Sequence, residues 1–411
     1  MINKIISSMK EGTFFIKIKR KVVLGVMYVI RKICFEKNQI DNNKIMFLTF
    51  QGNYNCNPKA IANEIIRRKL PYKLIWVVNK ENLKNTIEYP KELTLVVKNS
   101  MKFYKEAAET KIFIDNANNF VYSKLKKKTG QIILQPWHGS MGFKKLDQSS
   151  VKNENWVKKA KELGEITDYC IVNSKFELDV FKNSYWPNTP MLKYGHPRND
   201  VLFNKNNEFK KFNTKVKEMY NIDKKCKLAL YAPTFRDNCD FESYNLDYQR
   251  LHDALVKRFG GEWKILVRFH FKLKYAKIPA KYLQNVINVT DYSDMQELLC
   301  AVDFGITDYS SWMCDYILTR RPGFLFTLDI EKYVDERGFY YPLETSPFPV
   351  CKSNQELCDK IINFDEKKYQ NDIDKFLSDK ECYEDGYASK RVVELIKDKL
   401  EGEKTNDNEK N

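Results

Sequence analysis

The sequence predicts an α/β protein with two Rossmann-like domains and a cleft between them. Short apolar runs of strand length alternate with helical patterns along most of the 411 residues, which is typical of parallel, doubly wound sheets. The alternation stops in a polar, lysine-rich stretch at about 195–227 and then restarts, which indicates two similar halves. A chain of this length can form two domains, each with its own core.

Four parts of the chain follow from this pattern. We predict a basic amphipathic N-terminal segment at 1–42, a first Rossmann-like domain at 43–205 and a second one at 206–400. The last residues, 401–411, are mostly charged, so we expect a disordered tail there because such a composition cannot bury a core.

The N-terminal segment combines basic residues with apolar ones. Its longest apolar run, Val22 to Ile30, is far shorter than the roughly 20 residues that span a bilayer. No small-residue cleavage site follows it, so a signal peptide is not expected. Lysines and arginines beside apolar residues suit the surface of an anionic membrane. The alternative is a helix packed on the protein's own core.

In the first half, apolar runs and caps define the elements. A helix is predicted at 58–69 with Pro58 in its first turn, another at 101–109, and a third at 176–181 behind the cap Asn173-Ser174. The predicted strands are 45–50, 74–78, 93–97, 112–114, 132–134 and 169–172.

The second half repeats the alternation. The spacing Ser293-x-x-Gln296 predicts a capping box before a helix at 294–301. The strands are predicted at 228–231, 263–267, 286–289, 304–306 and 323–327. The other helices are predicted at 246–259, 312–318, 355–364 and 388–400.

Polar side chains follow the strands of the second half, where open α/β sheets bind ligands. Arg236 follows the first strand and Arg268 and His270 follow the second, on the same side of the chain because side chains alternate along a strand. Such cations suit a pyrophosphate leaving group, whose charge grows as the bond breaks. The alternatives are an ion pair between Arg236 and Asp237 and a core histidine at His270.

The strand at 304–306 is followed by Thr307, Asp308 and the pair Ser310-Ser311, and then by a helix. A strand, a polar turn and a helix start form an anion site, because unpaired backbone N–H groups point outward there. The two hydroxyls add donors for phosphate oxygens. The alternative is that Ser310 or Ser311 is only a helix cap.

In the first half, His138-Gly139 follows the strand at 132–134. A glycine at this point permits a sharp turn that presents the imidazole in the cleft. An imidazole with a pKa near neutrality is a natural general base toward a hydroxyl group. Lys144 and Lys145 could meet an anionic acceptor.

Other classes of site have no support in the sequence. The chain lacks a P-loop and a G-x-G-x-x-G motif. Its ten cysteines are scattered without zinc-site spacing, which favours reduced thiols. The triplet 372–374 contains two aspartates but lies in a charged helical stretch, so we expect no metal and no cofactor. A net charge of +16 and a pI near 9.1 imply an anionic partner.

Ten ordered segments between about Lys44 and Leu400 resemble the CDP-glycerol glycerophosphotransferase family, the teichoic-acid primases and polymerases of Gram-positive bacteria. These segments are 57–61, 135–139 with 144–145, 195–201, 230–237, 268–270, 291–298, 306–315, 321–322 with 324–326, 333–339 and 385–393.

The resemblance implies a GT-B fold and a peripheral enzyme on the cytoplasmic face of the membrane. The enzyme would transfer glycerol phosphate from CDP-glycerol to a hydroxyl of a polyprenyl-diphosphate-linked acceptor and release CMP. It makes His138 the base, with Gly139, Lys144 and Lys145 on the acceptor side. His270 would contact the pyrophosphate. The remaining donor-side residues would be Arg236, Arg268, Thr307, Ser310, Ser311 and Asp315, the last binding donor hydroxyls.

Rival functions stay open at this stage. Within the same class, the donor could be CDP-ribitol, or a nucleotide sugar used by a GT-B glycosyltransferase. A nucleic-acid-binding protein is disfavoured because no basic stripe is interleaved with aromatic residues. A membrane-bound lectin-like module without catalysis is disfavoured by His138 and His270.

Overall fold

The computed structural model describes residues 32–84, 88–146, 153–234, 244–269 and 285–408, together with Gly25 and Val29. Two all-parallel sheets with helices around them confirm the predicted GT-B-like fold. The first sheet contains β1 (Asp41–Leu48), β2 (Lys73–Val78), β3 (Leu93–Val97), β4 (Thr110–Asp115), β5 (Ile132–Gln135), β6 (Tyr169–Val172) and β7 (Met191–Lys193). The second contains β8 (Lys227–Tyr231), β9 (Trp263–Val267), β10 (Val286–Asn288), β11 (Phe304–Thr307), β12 (Gly323–Phe326) and β13 (Val350–Cys351).

The strand order determines where each sheet opens a crevice. The first sheet has the order β3-β2-β1-β4-β5-β6-β7, and the second has β10-β9-β8-β11-β12-β13. The direction of winding therefore reverses between β1 and β4 and between β8 and β11. Ligands of open α/β sheets bind at such switch points, beyond the carboxyl ends of the strands. The runs at 45–48 and 304–307 are buried throughout, as expected for central parallel strands.

Helices cover the sheets. Those that follow strands of the first sheet are α1 (Cys56–Arg67), α2 (Met101–Glu109), α3 (Asn119–Tyr122), α4 (Glu154–Ile166) and α5 (Lys175–Lys182). The remaining helices are α6 (Glu208–Met219), α7 (Tyr248–Phe259), α8 (Met295–Ala301), α9 (Trp312–Tyr316), α10 (Ile330–Arg337), α11 (Asn354–Ile362), α12 (Glu366–Asp379) and α13 (Ala388–Asn408). Short 3₁₀ turns occupy Phe50–Gly52, Lys80–Lys84, Pro197–Phe203, Ile317–Thr319 and Leu343–Thr345.

Three local features differ from the sequence-based expectations. The lysine-rich break contains α6, whose buried face includes Val216. The cap of α8 is Asp294, which accepts a hydrogen bond from the Glu297 amide, so the capping box predicted at Ser293 is wrong. The last helix continues to Asn408 and not into a tail that begins at 401.

The last helix also returns to the first domain. Val392, Val393, Ile396 and Leu400 of α13 are buried in the same apolar cluster as Ile45 of β1. The predicted division placed these residues with the second domain. Their helical spacing gives one apolar stripe, and that stripe covers the first sheet. The predicted boundary at 206 lies between β7 and β8.

Candidate active site

The carboxyl ends of the two sheets enclose a cavity of about 170 Å³. Five of the predicted site residues line it: His138, Gly139 and Lys144 from the first domain, and Ser310 and Ser311 from the second. The two predicted halves of the site therefore meet, and we call this cavity the interdomain pocket.

Hydrogen bonding fixes the tautomer of His138. Its Nδ1 lies 2.6 Å from the carbonyl oxygen of Asn116, which follows β4. A carbonyl oxygen only accepts hydrogen bonds, so Nδ1 carries the proton and Nε2 keeps a free lone pair. The ring also packs against Trp137 at a tilt of 32°, with 4.4 Å between ring centroids. The imidazole is thus oriented as a base.

The turn that presents His138 is made by Trp137 and not by the glycine. Trp137 has φ +52°, an uncommon conformation for a bulky residue, whereas Gly139 lacks a positive φ. Gly139 is needed for space, because a Cβ there would lie 3.0 Å from Trp137 Nε1. The predicted glycine turn is therefore corrected: the backbone strain lies one residue before the histidine.

The environment of His138 keeps the imidazole neutral. His138 is exposed toward the pocket, and its ring lies against Trp137 and the carbonyl oxygen of Asn116. Desolvation by the surrounding protein lowers the pKa of His138 to about 4, with smaller contributions from the positive charge of Arg198 and from His196. The hydrogen bond to Asn116 acts in the opposite direction. At neutral pH the ring is therefore unprotonated, and its pKa lies below the value near neutrality that the sequence predicted.

The two serines begin α9 without capping it. The side chain of Ser311, the N-cap residue, makes no capping hydrogen bond. Within the described ranges, neither serine hydroxyl has a hydrogen-bond partner, and both residues line the pocket. The geometry therefore contradicts the alternative that Ser310 or Ser311 is only a cap. The first-domain loop approaches closely, since a Cβ on Gly142 would lie 2.9 Å from Ser311 Cβ.

Arg268 lies at the end of β9, as predicted, but not on the wall of the pocket. Its guanidinium donates to the carbonyl oxygen of Tyr292 at 3.3 and 3.2 Å. Burial lowers its pKa, while Asp294 acts in the opposite direction. No carboxylate among the described residues comes within ion-pair distance of Arg268.

Two residues predicted to bind the donor have structural partners instead. Thr307 is fully buried, and its hydroxyl donates to the carbonyl oxygen of Ala232 at 2.7 Å. Asp315 is 2% exposed and accepts hydrogen bonds from Arg198, Asn199 and Gln296. Because both carboxylate oxygens are engaged inside the protein, the predicted contact of Asp315 with donor hydroxyls is corrected.

The two lysines differ from each other. Lys144 lines the pocket, and its Nζ lies 3.4 Å from the Thr234 hydroxyl. Lys145 is exposed, and its backbone N–H donates to the carbonyl oxygen of Gly338. His270 and Arg236, the other predicted site residues, lie outside the described residues.

The structure adds residues that had no predicted role. Asn116 orients the imidazole, and Glu177 of α5 lines the pocket. Asn57 and Arg198 contact the backbone of the His138 loop. Asn57 and Arg198 belong to the segments that carry the family resemblance, which was the one signal available for them.

These features define the class of protein. A neutral imidazole faces two serine hydroxyls across the junction of two Rossmann-like domains, which is the layout of a GT-B-like fold.

Residues 30–398 match the family model described as CDP-glycerol:poly(glycerophosphate) glycerophosphotransferase. The chain belongs to this family.

Named relatives agree with this assignment. The teichoic acid poly(glycerol phosphate) polymerase of Staphylococcus epidermidis is 30% identical over 377 residues, which cover 88% of this chain and 51% of the polymerase. The chain thus spans about half the length of that relative. The teichoic acid glycerol-phosphate transferase of Staphylococcus aureus is 31% identical, with 87% of this chain and 93% of the transferase covered.

A solved structure shares the fold. The wall teichoic acid polymerase TagF superposes with a TM-score of 0.80 at 29% identity, covering 94% of this chain and 97% of that one. A histidine-to-asparagine variant of TagF soaked with CDPG matches equally well.

Proposed function

We propose that this protein transfers glycerol phosphate from CDP-glycerol to a hydroxyl of a polyprenyl-diphosphate-linked acceptor and releases CMP. The polymer formed would be a teichoic acid or a related cell-surface phosphopolymer, such as a capsule. One observation carries the proposal: His138 Nε2 and the hydroxyls of Ser310 and Ser311, none of which has a partner in the described part of the chain, line the same pocket. The choice of CDP-glycerol as the donor rests on membership of the family.

The chemistry follows from these positions. The acceptor hydroxyl gives its proton to His138 Nε2 while its oxygen attacks the β-phosphorus of the donor. A new P–O bond forms, the bond to the bridging oxygen breaks, and CMP leaves with the electron pair. The proton on His138 then passes to CMP or to water. General-base assistance of this kind is worth roughly 10²–10⁴ in rate.

The leaving group gains negative charge as the bond breaks, so donors near it lower the barrier. Ser310 and Ser311 can donate hydrogen bonds to phosphate oxygens. Arg268 provides a positive charge with no described carboxylate within ion-pair distance. We assign His270 and Arg236 to the same task from the sequence.

On the acceptor side, we assign Gly139 and Lys144 to the bound end of the acceptor. Lys144 carries a positive charge at the wall of the pocket. Lys145, outside the pocket, would contact a more distant part of an anionic acceptor. We therefore assign acceptor binding to the domain at 43–205 and donor binding to the domain at 206–400, apart from the α13 residues that pack on the first sheet.

We also propose peripheral attachment to the cytoplasmic face of an anionic membrane. No helix of the described ranges is long and apolar enough to cross a bilayer. Ile33 and Phe35 remain exposed, with Lys32 and Lys37 beside them. Exposed apolar residues next to lysines suit the membrane interface. If a variant lacking 1–37 still floats with vesicles that contain anionic lipid, this part of the proposal fails.

Donor specificity tests the central assignment. The wild-type protein would be incubated with a synthetic lipid-linked acceptor and, separately, CDP-glycerol, CDP-ribitol or a UDP-sugar, and release of CMP or UDP would be measured. Acceptor-dependent CMP release from CDP-glycerol is expected. Release of CMP from CDP-ribitol alone would mean that the transferred group is ribitol phosphate. Release of UDP alone would mean that the protein is a glycosyltransferase.

A further inference from the structure

His138 lies on a loop whose peptide groups are bonded on both sides of the histidine. Asn57 of α1 is fully buried, and its Nδ2 donates to the carbonyl oxygens of Pro136 at 2.8 Å and Trp137 at 3.0 Å. The Nη2 of Arg198 donates to the carbonyl oxygen of Gly139. The carbonyl groups before and after His138 thus have separate side-chain donors.

The two donors are bonded to each other. The backbone N–H of Arg198 donates to Asn57 Oδ1 at 3.0 Å. Both residues are buried, with Arg198 only 5% exposed. The strained Trp137 needs such support, because an uncommon backbone conformation persists only where its surroundings enforce it.

Arg198 also reaches into the second domain. Its Nε lies 3.1 Å and its Nη2 3.0 Å from Asp315 Oδ2. Burial alone would lower the pKa of the Arg198 guanidinium, but Asp315 raises it, so the charge is retained. Asp315 belongs to α9, which begins immediately after Ser311. One guanidinium therefore joins the loop of the base to the helix that carries the serine pair.

We propose that Asn57 and Arg198 are positioning residues, which hold His138 at a fixed place relative to Ser310 and Ser311. The role rests on the proposed function, because it places the base against the donor. A misplacement of the order of 1 Å can cost roughly 10²-fold in rate. The function of this arrangement is therefore to keep the acceptor oxygen in line with the bond that breaks.

The positive charge of Arg198 allows a second measurement, which is the pH at which His138 becomes protonated. Among the described residues, the charged and titratable groups around His138 are Arg198 and His196, which both lower its pKa, and Lys144 and Glu177, which line the pocket. Loss of the guanidinium would leave Asp315 without its cation. Both changes favour the imidazolium, so the protonation midpoint of His138 should move to higher pH.

Three variants separate the two effects. Arg198→Met removes the charge and the bonds, whereas Arg198→Lys keeps the charge but cannot bond Gly139 and Asp315 in the same forked geometry. Asn57→Ala removes the bonds to Pro136 and Trp137 without any change of charge. We expect each variant to lower kcat for CMP release by roughly 10²-fold with little change in the KM for CDP-glycerol. Only Arg198→Met should raise the midpoint of His138.

Lys59→Met is the matched control. Lys59 also lies on α1 and also joins the two domains, through Asp294 at 2.7 Å and Glu297 at 2.7 Å of α8. It makes no bond to the His138 loop. This variant should lose stability, but neither kcat nor the midpoint of His138 should change as in the Arg198 variants.

The midpoint would be measured on the full-length protein by NMR of ¹³C-labelled histidine, with His138→Gln to assign the signal. This measurement needs no substrate, so it remains decisive even if the wild type releases no CMP from CDP-glycerol. An unchanged midpoint in folded Arg198→Met overturns the proposal. So does near-wild-type kcat in folded Asn57→Ala and Arg198→Lys, or an equal loss of kcat in Lys59→Met.

Discussion

The side of the pocket formed by the first domain is held by hydrogen bonds within the protein. The side formed by the second domain presents serine hydroxyls that have no described hydrogen-bond partners. Around His138, Asn116 binds the imidazole, and Asn57 and Arg198 bind the neighbouring carbonyls. In the described chain, the hydroxyls of Ser310 and Ser311 lack hydrogen bonds, although α9 behind them is anchored by Asp315. We infer that hydrogen bonds within the protein fix the position of His138, whereas the hydroxyls of Ser310 and Ser311 become ordered when the donor binds them.

The largest effect should come from the base. We expect His138→Gln to reduce kcat by roughly 10²–10⁴-fold, because His138 is the group that we assign to take the proton from the acceptor hydroxyl. Single-turnover CMP release would measure the loss. The variant also loses the Nδ1 bond to Asn116 and the ring contact with Trp137, so the midpoint of thermal unfolding should fall by a small amount while the protein remains folded. Normal turnover in the folded variant would remove His138 from its role.

A variant of His270, whose role is predicted from the sequence alone, tests how the leaving group is stabilised. We expect His270→Ala to lose orders of magnitude in turnover while the protein remains folded, because the variant would lack a contact to the pyrophosphate. The rate of CMP release at saturating CDP-glycerol would measure this. A rate like that of the wild type would leave Arg268 and the serines as the groups that stabilise CMP.

The serine pair should give an intermediate effect. We expect Ser310→Ala and Ser311→Ala each to lower kcat/KM for CDP-glycerol by roughly 10–10²-fold, since a hydrogen bond to a charged group is worth about 1.5–3 kcal/mol. Stability should not fall, because the hydroxyls have no described partners to lose. Thr307→Val is the contrast. It removes a bond to Ala232 and should cost about 1 kcal/mol of unfolding free energy while leaving kcat/KM nearly unchanged.

The pH dependence should reveal the shifted base. Because the pKa of His138 is lowered to about 4, the neutral form persists below the ordinary histidine value near 6.5. As pH falls, kcat/KM should therefore stay level through that value and decline only as the pH approaches the lowered pKa. A decline centred near 6.5 would show that the free enzyme does not hold the imidazole in this environment.

The smallest effect should separate the two lysines. Lys144→Ala is expected to raise the KM for the lipid-linked acceptor several-fold, and Lys145→Ala to raise it less. Surface charges act weakly through solvent, and only Lys144 lines the pocket. Initial rates at varied acceptor concentration would compare them. An equal or larger effect of Lys145→Ala would move the acceptor path to the exposed side of the loop.

The sequence predicted the elements with strong local patterns. The strands at 93–97, 169–172 and 263–267 and the helix at 101–109 have the predicted bounds. Continuous apolar runs and clear caps are local properties, so one stretch of sequence is sufficient to recognise them. His138, Ser310 and Ser311 were found for a related reason, because the carboxyl ends of parallel strands meet at one edge of a sheet.

The errors concern partners that are distant along the chain. Thr307 and Asp315 occupy the predicted edge, but a polar residue there looks the same in sequence whether it faces a ligand or another part of the protein. Arg198 and Asp315 are 117 positions apart, and no local pattern connects them. The return of α13 to the first sheet has the same cause, since an apolar stripe does not specify which core it covers.

The most direct test combines binding with chemistry. The Kd for CDP-glycerol and the single-turnover rate of acceptor-dependent CMP release would be measured in wild type, His138→Gln and Ser310→Ala/Ser311→Ala. We expect His138→Gln to bind the donor normally but to lose the chemical step, and the serine variant to bind the donor more weakly. A wild-type single-turnover rate in His138→Gln, or loss of donor binding in that variant alone, would contradict the account. In that account the first-domain side of the pocket supplies the base and the second-domain side binds the donor.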